Sequence, residues 1–184
     1  MRRPDSYIAS QYRRAVKNGF RGDFKSFFDL DQDMGHFKQS DLQFDKQITM
    51  LSQLFSQPVT VFFYEDMKAD LNGYLETWVR LLSARMDWPK LNLKTKHASY
   101  TDRQLLFLQR IAAFIDLRKR SRQEFNPIAF STRIIRASLR YSLLFIAQLS
   151  RSSQELISSN DLRRVEEAYR PMWNALRRQY DKNA

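Results

Sequence analysis

The stretch PVTVFFY, residues 58–64, decides the fold class because it is the clearest strand signal in the chain. It is β-branched and aromatic, and it is entered through a proline. Its near-continuous apolar character predicts a strand that is buried on both faces, as in a parallel sheet. Such a strand needs neighbours, since each unpaired buried backbone group costs about 1–3 kcal/mol. The sequence offers no second strand, so the chain is either an unusual helical domain or, as we favour, part of an α/β domain whose other strands lie upstream of Met1.

Elsewhere the apolar residues recur with helical spacing, and the pattern predicts a mainly helical single domain over residues 1–184. Thr101 and Gln104 form a capping box, which marks the start of one helix. Loops are predicted at 31–40 and 89–99, and a short amphipathic stretch around 24–30. The predicted helices are Asp5–Asn18, Asp41–Phe55, Asp70–Met86, the helix from the capping box to about Arg122, Ser131–Ser150 and Asp161–Tyr180.

The composition excludes several classes of protein. With 43% hydrophobic and 14% aromatic residues, the chain is too apolar for a disordered tail. No apolar run approaches the length of about 20 residues that a membrane span needs. The absence of cysteine excludes disulfides, thiolate catalysis and Cys-ligated zinc. The sequence contains no Asn-x-Ser/Thr sequon, so we expect a soluble protein, with the cytoplasm favoured over the secretory route.

Positive charge is concentrated in one block of the chain. The chain has 31 Lys and Arg against 20 Asp and Glu, a net charge of +11. Residues 101–151 hold ten of the basic side chains and three of the acidic ones, a local excess of +7. Such a block suits a polyanionic partner, namely nucleic acid, an acidic glycan or a nucleotide cosubstrate. The alternative is an ordinary solvated helix face.

The opening residues suggest a phosphate site. Arg2-Arg3-Pro4 leads into the first helix, which presents Ser10 eight residues after Arg2. An arginine at the end of a strand and a hydroxyl two turns into the next helix can converge on one phosphate. The guanidinium then supplies charge-assisted hydrogen bonds, and the serine supplies a neutral donor.

These residues resemble a known family. Arg2-Arg3-Pro4 followed by Ser10-Gln11-Tyr12 is similar to the 3′-phosphate-binding segment of sulfotransferases. The predicted strand followed by Tyr64-Glu65-Asp66-Met67 is similar to a late strand of that family and its Tyr-Glu-Asp-Leu motif. The resemblance covers most of the chain and is densest over residues 2–82.

The resemblance implies a P-loop-like α/β domain that binds 3′-phosphoadenosine 5′-phosphosulfate (PAPS) as cosubstrate and uses no metal. Its sulfuryl group would pass to a hydroxyl or amine of an unknown acceptor, for which an acidic glycan is one option. Arg2 and Ser10 would hold the 3′-phosphate, and no catalytic residue is assigned. The family's phosphosulfate-binding loop and its general base match nothing in this sequence. We therefore expect the carboxy-terminal part of such a domain, without sulfuryl transfer by these 184 residues alone.

Two other functions remain open. The first is a helical module without enzymatic activity that binds nucleic acid or another polyanion through the 101–151 block, although nucleic acid is the less favoured partner. The second is a remnant without activity. Smaller signals favour structural roles: His36 and His97 as solvated loop residues, Gly19–Gly22 as a turn rather than a nucleic-acid clamp, and Phe24, Phe27 and Phe28 as core. Asp29, Asp31 and Asp33 alternate as in calcium loops, but no glutamate stands at the twelfth position.

Overall fold

The structure, a computed structural model, describes residues 1–85, 100–112 and 155–180, together with six single positions between 135 and 145. Its elements are α1 (Pro4–Lys17), α2 (Phe24–Phe27), a 3₁₀ turn (Gln39–Leu42), α3 (Phe44–Phe55), α4 (Tyr64–Ala69), α5 (Leu71–Leu81), α6 (Asp102–Ala112) and α7 (Ser159–Tyr180). The prediction of a mainly helical fold is confirmed for the described ranges. Three predictions fall outside the described ranges. They are the loop at 89–99, the part of the capping-box helix beyond Ala112, and the 131–150 helix apart from the six single positions.

Helix α1 is the central element of the described core. Pro4 occupies its first turn, where its fixed φ and missing N–H are tolerated. Ile8, Tyr12 and Val16 follow one another at four-residue spacing and are all at most 1% exposed. Gly19, with a φ of 94°, lies just past the helix end, in a conformation that side chains avoid. This apolar face of α1 packs against both α6 and α7.

Two polar contacts hold α6 against its neighbours. The capping box is confirmed, because the Thr101 N–H donates to Gln104 Oε1 at 2.8 Å and the Gln104 N–H donates to Thr101 Oγ1 at 3.4 Å. Asp102 forms an ion pair with Arg13 on α1 and accepts the backbone N–H of Leu156, 3.2 Å away, just before α7. The start of α6 is therefore tied to both helices that enclose it.

The strand prediction for residues 58–64 is only partly right. The segment is extended as far as Phe63, and α4 begins at Tyr64. The predicted burial on both faces is wrong, because Pro58 and Thr60 are exposed and only Phe63 is buried. No sheet forms among the described residues, where a single isolated bridge pairs Phe28 with Phe37. The segment has too few described neighbours to cover both of its faces.

The extended segment nevertheless has one backbone partner. The Met1 amine donates to the Phe62 carbonyl, and the Tyr64 N–H donates to the Met1 carbonyl at 2.6 Å. These two hydrogen bonds hold Met1 beside the end of the predicted strand, and Arg2 follows it directly.

Two of the helices have exposed apolar faces. On α3, Met50, Leu54 and Phe55 are more than half exposed, and on α5 the same holds for Leu81. None of the residues of α5 is fully buried. Among the described residues, no helix is long and apolar enough to cross a bilayer.

Candidate functional site

The candidate site lies where α1 begins, beside the start of α4. The Arg2 guanidinium donates from Nη2 to Ser6 Oγ at 3.3 Å and lies over the Tyr64 ring, 4.7 Å from its centroid. Its Nε is buried and has no hydrogen-bond partner. Ser6 lies in the first turn of α1, and Ser10 lies one turn further along the helix. Ser6 and Ser10 therefore share one side of α1, and Arg2 contacts Ser6 from the residues just before the helix.

The structure shows no contact between the two residues predicted from sequence, and their joint role stays a prediction. Arg2 and Ser10 are both partly buried, and no hydrogen bond in the described structure joins them. Ser6 lies between them and accepts from Arg2 through a long, weak hydrogen bond. Because Ser6 accepts in this contact, its own O–H remains able to donate to another group. The arrangement offers a guanidinium and two hydroxyls along one side of α1.

Sequence reasoning missed Ser6 and the role of Tyr64. Ser6 could have been found, because it stands four residues from both Arg2 and Ser10, the spacing of neighbours on a helix. The Tyr64 contact has no local signal, since it depends on the pairing of Met1 with a segment about 60 residues away. A guanidinium over an aromatic face gains electrostatic attraction and is held in position.

The adjacent Arg3 has a different environment. Its Nε and Nη2 donate to the two carboxylate oxygens of Asp5, at 2.7 Å and 2.8 Å, and Asp5 is 7% exposed. The Asp5 carboxylate raises the pKa of Arg3 above its ordinary value. Arg3 also lines an open cavity of about 240 Å³ between α1 and α7, beside Asp5, Glu166 and Tyr169. Arg3 is thus committed to an intramolecular ion pair, whereas Arg2 is not.

Two carboxylates, Glu65 and Asp66, follow the predicted strand, and such carboxylates often cap the next helix or pair with an arginine. Asp66 pairs with an arginine, because its two oxygens accept from Arg177 Nη1 at 2.8 Å and 2.9 Å. The same guanidinium lies 4.4 Å from the Phe63 ring centroid, and Phe63 packs edge-on against Trp173. Asp66 therefore anchors α4 to α7 and is not available to a ligand.

Glu65 is less fully engaged than Asp66. Its Oε1 accepts the backbone N–H of Arg3 at 3.0 Å. Its Oε2 is buried without a hydrogen-bond partner. Among the described residues, Glu65 forms no ion pair with Arg2.

The remaining sequence signals have structural roles where they are described. Phe24, Phe27 and Phe28 are buried in the core. His36 is exposed beside the Phe27 ring, and His97 lies outside the described residues.

The calcium interpretation has no support in the structure, because the three loop aspartates are engaged by protein groups. Asp29 accepts the Asp31 N–H, Asp31 pairs with Arg164 at 2.6 Å, and Asp33 accepts the Gln39 N–H at 2.8 Å. The described ranges contain no group of three or more potential metal ligands.

Most of the basic block lies outside the described residues. Of its ten basic residues, Arg103 and Arg110 lie within the described ranges, and both are exposed. The prediction of a polyanion-binding surface over 101–151 therefore stays a prediction. No protein-family model, no curated protein and no solved structure matches this chain.

Proposed function

We propose that this chain binds the 3′-phosphate of PAPS through Arg2 and Ser10, as part of a sulfotransferase-type α/β domain. The observation that carries the proposal is the state of Arg2 at the start of α1. Its guanidinium is positioned by Ser6 and Tyr64, its Nε has no partner, and no carboxylate neutralises it. Buried polar atoms normally have partners, so an unpartnered arginine nitrogen points to a group that binds there.

A phosphate is the ligand that suits this arrangement. A guanidinium forms strong charge-assisted hydrogen bonds with phosphate oxygens. The hydroxyls of Ser6 and Ser10 add neutral donors along the same side of α1. The Ser6 contact is long at 3.3 Å, so Arg2 can exchange it for a phosphate oxygen at little cost.

The position of Arg2 relative to the extended segment also supports the proposal. Met1 is hydrogen-bonded to Phe62 and Tyr64, so Arg2 lies at the end of the predicted strand. In open α/β sheets, ligands bind in the crevice outside the carboxyl ends of the strands. The proposed α/β domain would therefore have its ligand site at this end of the segment.

In the proposed reaction, the sulfuryl group leaves a phosphate oxygen of PAPS and forms a bond to a hydroxyl or amine of the acceptor. Adenosine 3′,5′-bisphosphate is released, and a base takes the acceptor proton. The role of Arg2 and Ser10 in this reaction is to hold and orient the nucleotide. Neither residue is assigned to proton transfer.

The proposal is tested by NMR titration of the 184-residue chain with adenosine 3′,5′-bisphosphate and with adenosine 5′-monophosphate. We expect binding of the bisphosphate at roughly millimolar Kd, equivalent to about 4 kcal/mol, and weaker binding of the monophosphate. Arg2→Ala and Ser10→Ala should each reduce the difference between the two nucleotides.

The matched control is Arg21→Ala. Arg21 is exposed and lies beyond the far end of α1, about 21 Å from the helix start at 1.5 Å per residue. The Arg21→Ala variant removes the same charge as Arg2→Ala and should leave the preference for the bisphosphate over the monophosphate intact. Equal binding of the two nucleotides, unaffected by either site variant, would refute the phosphate site. Tight binding of long nucleic acid, with a steep salt dependence and no response to the site variants, would favour the polyanion-binding module instead.

A further inference from the structure

We propose that the cavity between α1 and α7 binds a zwitterionic amino acid with an apolar side chain. The cavity measures about 240 Å³ and is lined by Arg3 and Asp5 on one side and by Glu166 and Arg170 on the other. Pockets for drug-sized ligands usually measure about 300–1,000 Å³, so this volume suits a smaller molecule. The inference does not depend on the proposed nucleotide site, to which none of these four residues belongs.

The first step is the charge balance of the cavity wall. Arg3 and Arg170 contribute two positive charges, and Asp5 and Glu166 contribute two negative charges. The wall is therefore neutral overall, although the whole chain carries a net charge of +11. A free anion would meet two carboxylates there, and a free cation would meet two guanidinium groups. A ligand that carries both charges finds an opposite charge for each of them.

The second step is the difference between the two ion pairs in the wall. Arg3 donates to both oxygens of Asp5, at 2.7 Å and 2.8 Å, so these two side chains satisfy each other. Arg170 Nη2 lies 3.6 Å from Glu166 Oε1, which is longer than a hydrogen bond. In the described part of the chain, neither of these two side chains forms a hydrogen bond with another residue. The looser pair therefore keeps carboxylate acceptors and guanidinium donors for a ligand.

The third step is the fit of a zwitterion to this looser pair. The ammonium and carboxylate groups of an α-amino acid are attached to the same carbon, so they lie close together, as Arg170 and Glu166 do. The ammonium group can donate to Glu166, and the carboxylate can accept from the planar guanidinium of Arg170. The side chains are 36% exposed for Glu166 and 54% exposed for Arg170, so they can separate without disturbing the core.

The fourth step is the apolar part of the wall. Tyr169 and Trp173 line the same cavity, together with Pro4. Trp173 is 8% exposed, and its ring packs edge-on against Phe63, so this part of the wall is held in place by the core. The side chain of a bound amino acid would leave water by packing against these residues, which favours an apolar side chain over a polar one.

The experiment titrates the full chain by NMR with L-phenylalanine and with three probes that each lack one of its features. Phenylpropionate lacks the ammonium group, phenethylamine lacks the carboxylate, and L-serine lacks the apolar side chain. We expect L-phenylalanine to bind at roughly millimolar Kd. Each probe should bind about tenfold more weakly, because each loses one of the three contacts.

The informative variants are Glu166→Gln and Arg170→Gln, with Glu167→Gln as the matched control. Glu167 belongs to a similar ion pair on the same helix, 3.9 Å from Arg163, but it does not line this cavity. Glu166→Gln should weaken the binding of L-phenylalanine about tenfold without weakening phenylpropionate, which has no ammonium group. Arg170→Gln should weaken L-phenylalanine to a similar extent without weakening phenethylamine, which has no carboxylate. A loss of structure alone would weaken every ligand together, and circular dichroism checks that each variant is folded.

Several results would overturn the proposal. It is wrong if L-phenylalanine does not bind at millimolar concentrations, or if either singly charged probe binds as tightly as the zwitterion. It is also wrong if Glu166→Gln affects binding no more than Glu167→Gln does. Equal binding of L-serine and L-phenylalanine would refute the preference for an apolar side chain. The nucleotide titrations are separate measurements, so either proposal can fail while the other stands.

Discussion

A shared hydrogen-bond acceptor in the core gives the sharpest test of the fold. The Tyr12 hydroxyl, in a side chain that is 1% exposed, donates to the Gly22 carbonyl at 3.0 Å. Gln109 on α6 donates from Nε2 to the same carbonyl at 2.6 Å and to the Tyr12 oxygen at 3.1 Å. Two side chains thus satisfy one loop carbonyl and also contact each other. The perturbation is the pair of substitutions Tyr12→Phe and Gln109→Ala, made singly and together.

The expected magnitudes follow from which groups lose a partner. Tyr12→Phe removes two hydrogen bonds, the one to the Gly22 carbonyl and the one from Gln109, so we expect a loss of about 2 kcal/mol. Gln109→Ala also removes two hydrogen bonds, to the carbonyl and to the Tyr12 oxygen, and we again expect about 2 kcal/mol. In the double variant three hydrogen bonds are lost and no side chain donates to the carbonyl. The lost bonds and the unsatisfied acceptor together cost about 4 kcal/mol, so the two losses should add, because the orphaned carbonyl offsets the bond that both single variants share.

Urea unfolding followed by circular dichroism measures these losses. Each single variant should also lower Tm by about 4–8 °C, twice the usual shift for 1 kcal/mol in a chain of this length. Tyr7→Phe is the control, because Tyr7 lies on the same helix and its ring packs on Phe37 and Phe44. Its stability should stay within about 0.5 kcal/mol of the wild type. A Tyr12→Phe or Gln109→Ala variant that is as stable as the wild type would show that its side chain does not make the hydrogen bonds that the structure describes.

Three further outcomes are expected from unfolding experiments. Thr101→Ala should lower stability by about 1 kcal/mol through loss of the α6 cap, measured by urea titration. Burial raises the pKa of Tyr169 to about 12, so the wild type should lose stability between pH 10 and 12, and Tyr169→Phe should remove part of that loss. Burial alone would raise the pKa of Asp29, but the N–H groups of residues 31, 32 and 34 lower it overall. Asp29→Asn should therefore be destabilising at pH 7, and the difference from wild type should shrink as pH falls below 3.8, which chemical unfolding at each pH would reveal.

The helices that the sequence predicts best are those whose apolar spacing and caps agree. Ile8, Tyr12 and Val16 predict α1, and Thr101 with Gln104 predicts the start of α6. Helix α4 was missed because its six residues are too few for a helical period and follow a strand-like run directly. Helix α5 was predicted to reach Met86, yet it ends at Leu81. Apolar residues such as Leu82 and Met86 follow Leu81 in the sequence, so the apolar spacing alone does not mark the end of α5.

The site was harder to predict than the helices for a physical reason. The eight-residue separation of Arg2 and Ser10 is visible in the sequence, but Arg2 precedes α1, so helical spacing does not fix where its side chain lies. The contacts that position Arg2 come from Tyr64, which approaches only because Met1 pairs with the distant extended segment. Such long-range pairing leaves no local pattern. The same holds for Glu65, whose unpaired oxygen is a property of packing and not of spacing.

The two adjacent arginines show how packing divides one sequence motif into two functions. Arg3 donates to both oxygens of the buried Asp5 in the first turn of α1, so Asp5 neutralises its charge. Removing the Arg3 side chain would therefore destabilise the start of that helix. Arg2 has a neutral hydroxyl and an aromatic ring as partners, and neither cancels its charge. An anion approaching the helix start therefore meets one available guanidinium, not two. The proposed phosphate site therefore depends on Arg2 and not on Arg3, and Arg3→Ala should weaken the helix start without removing the charge that the proposal assigns to the phosphate.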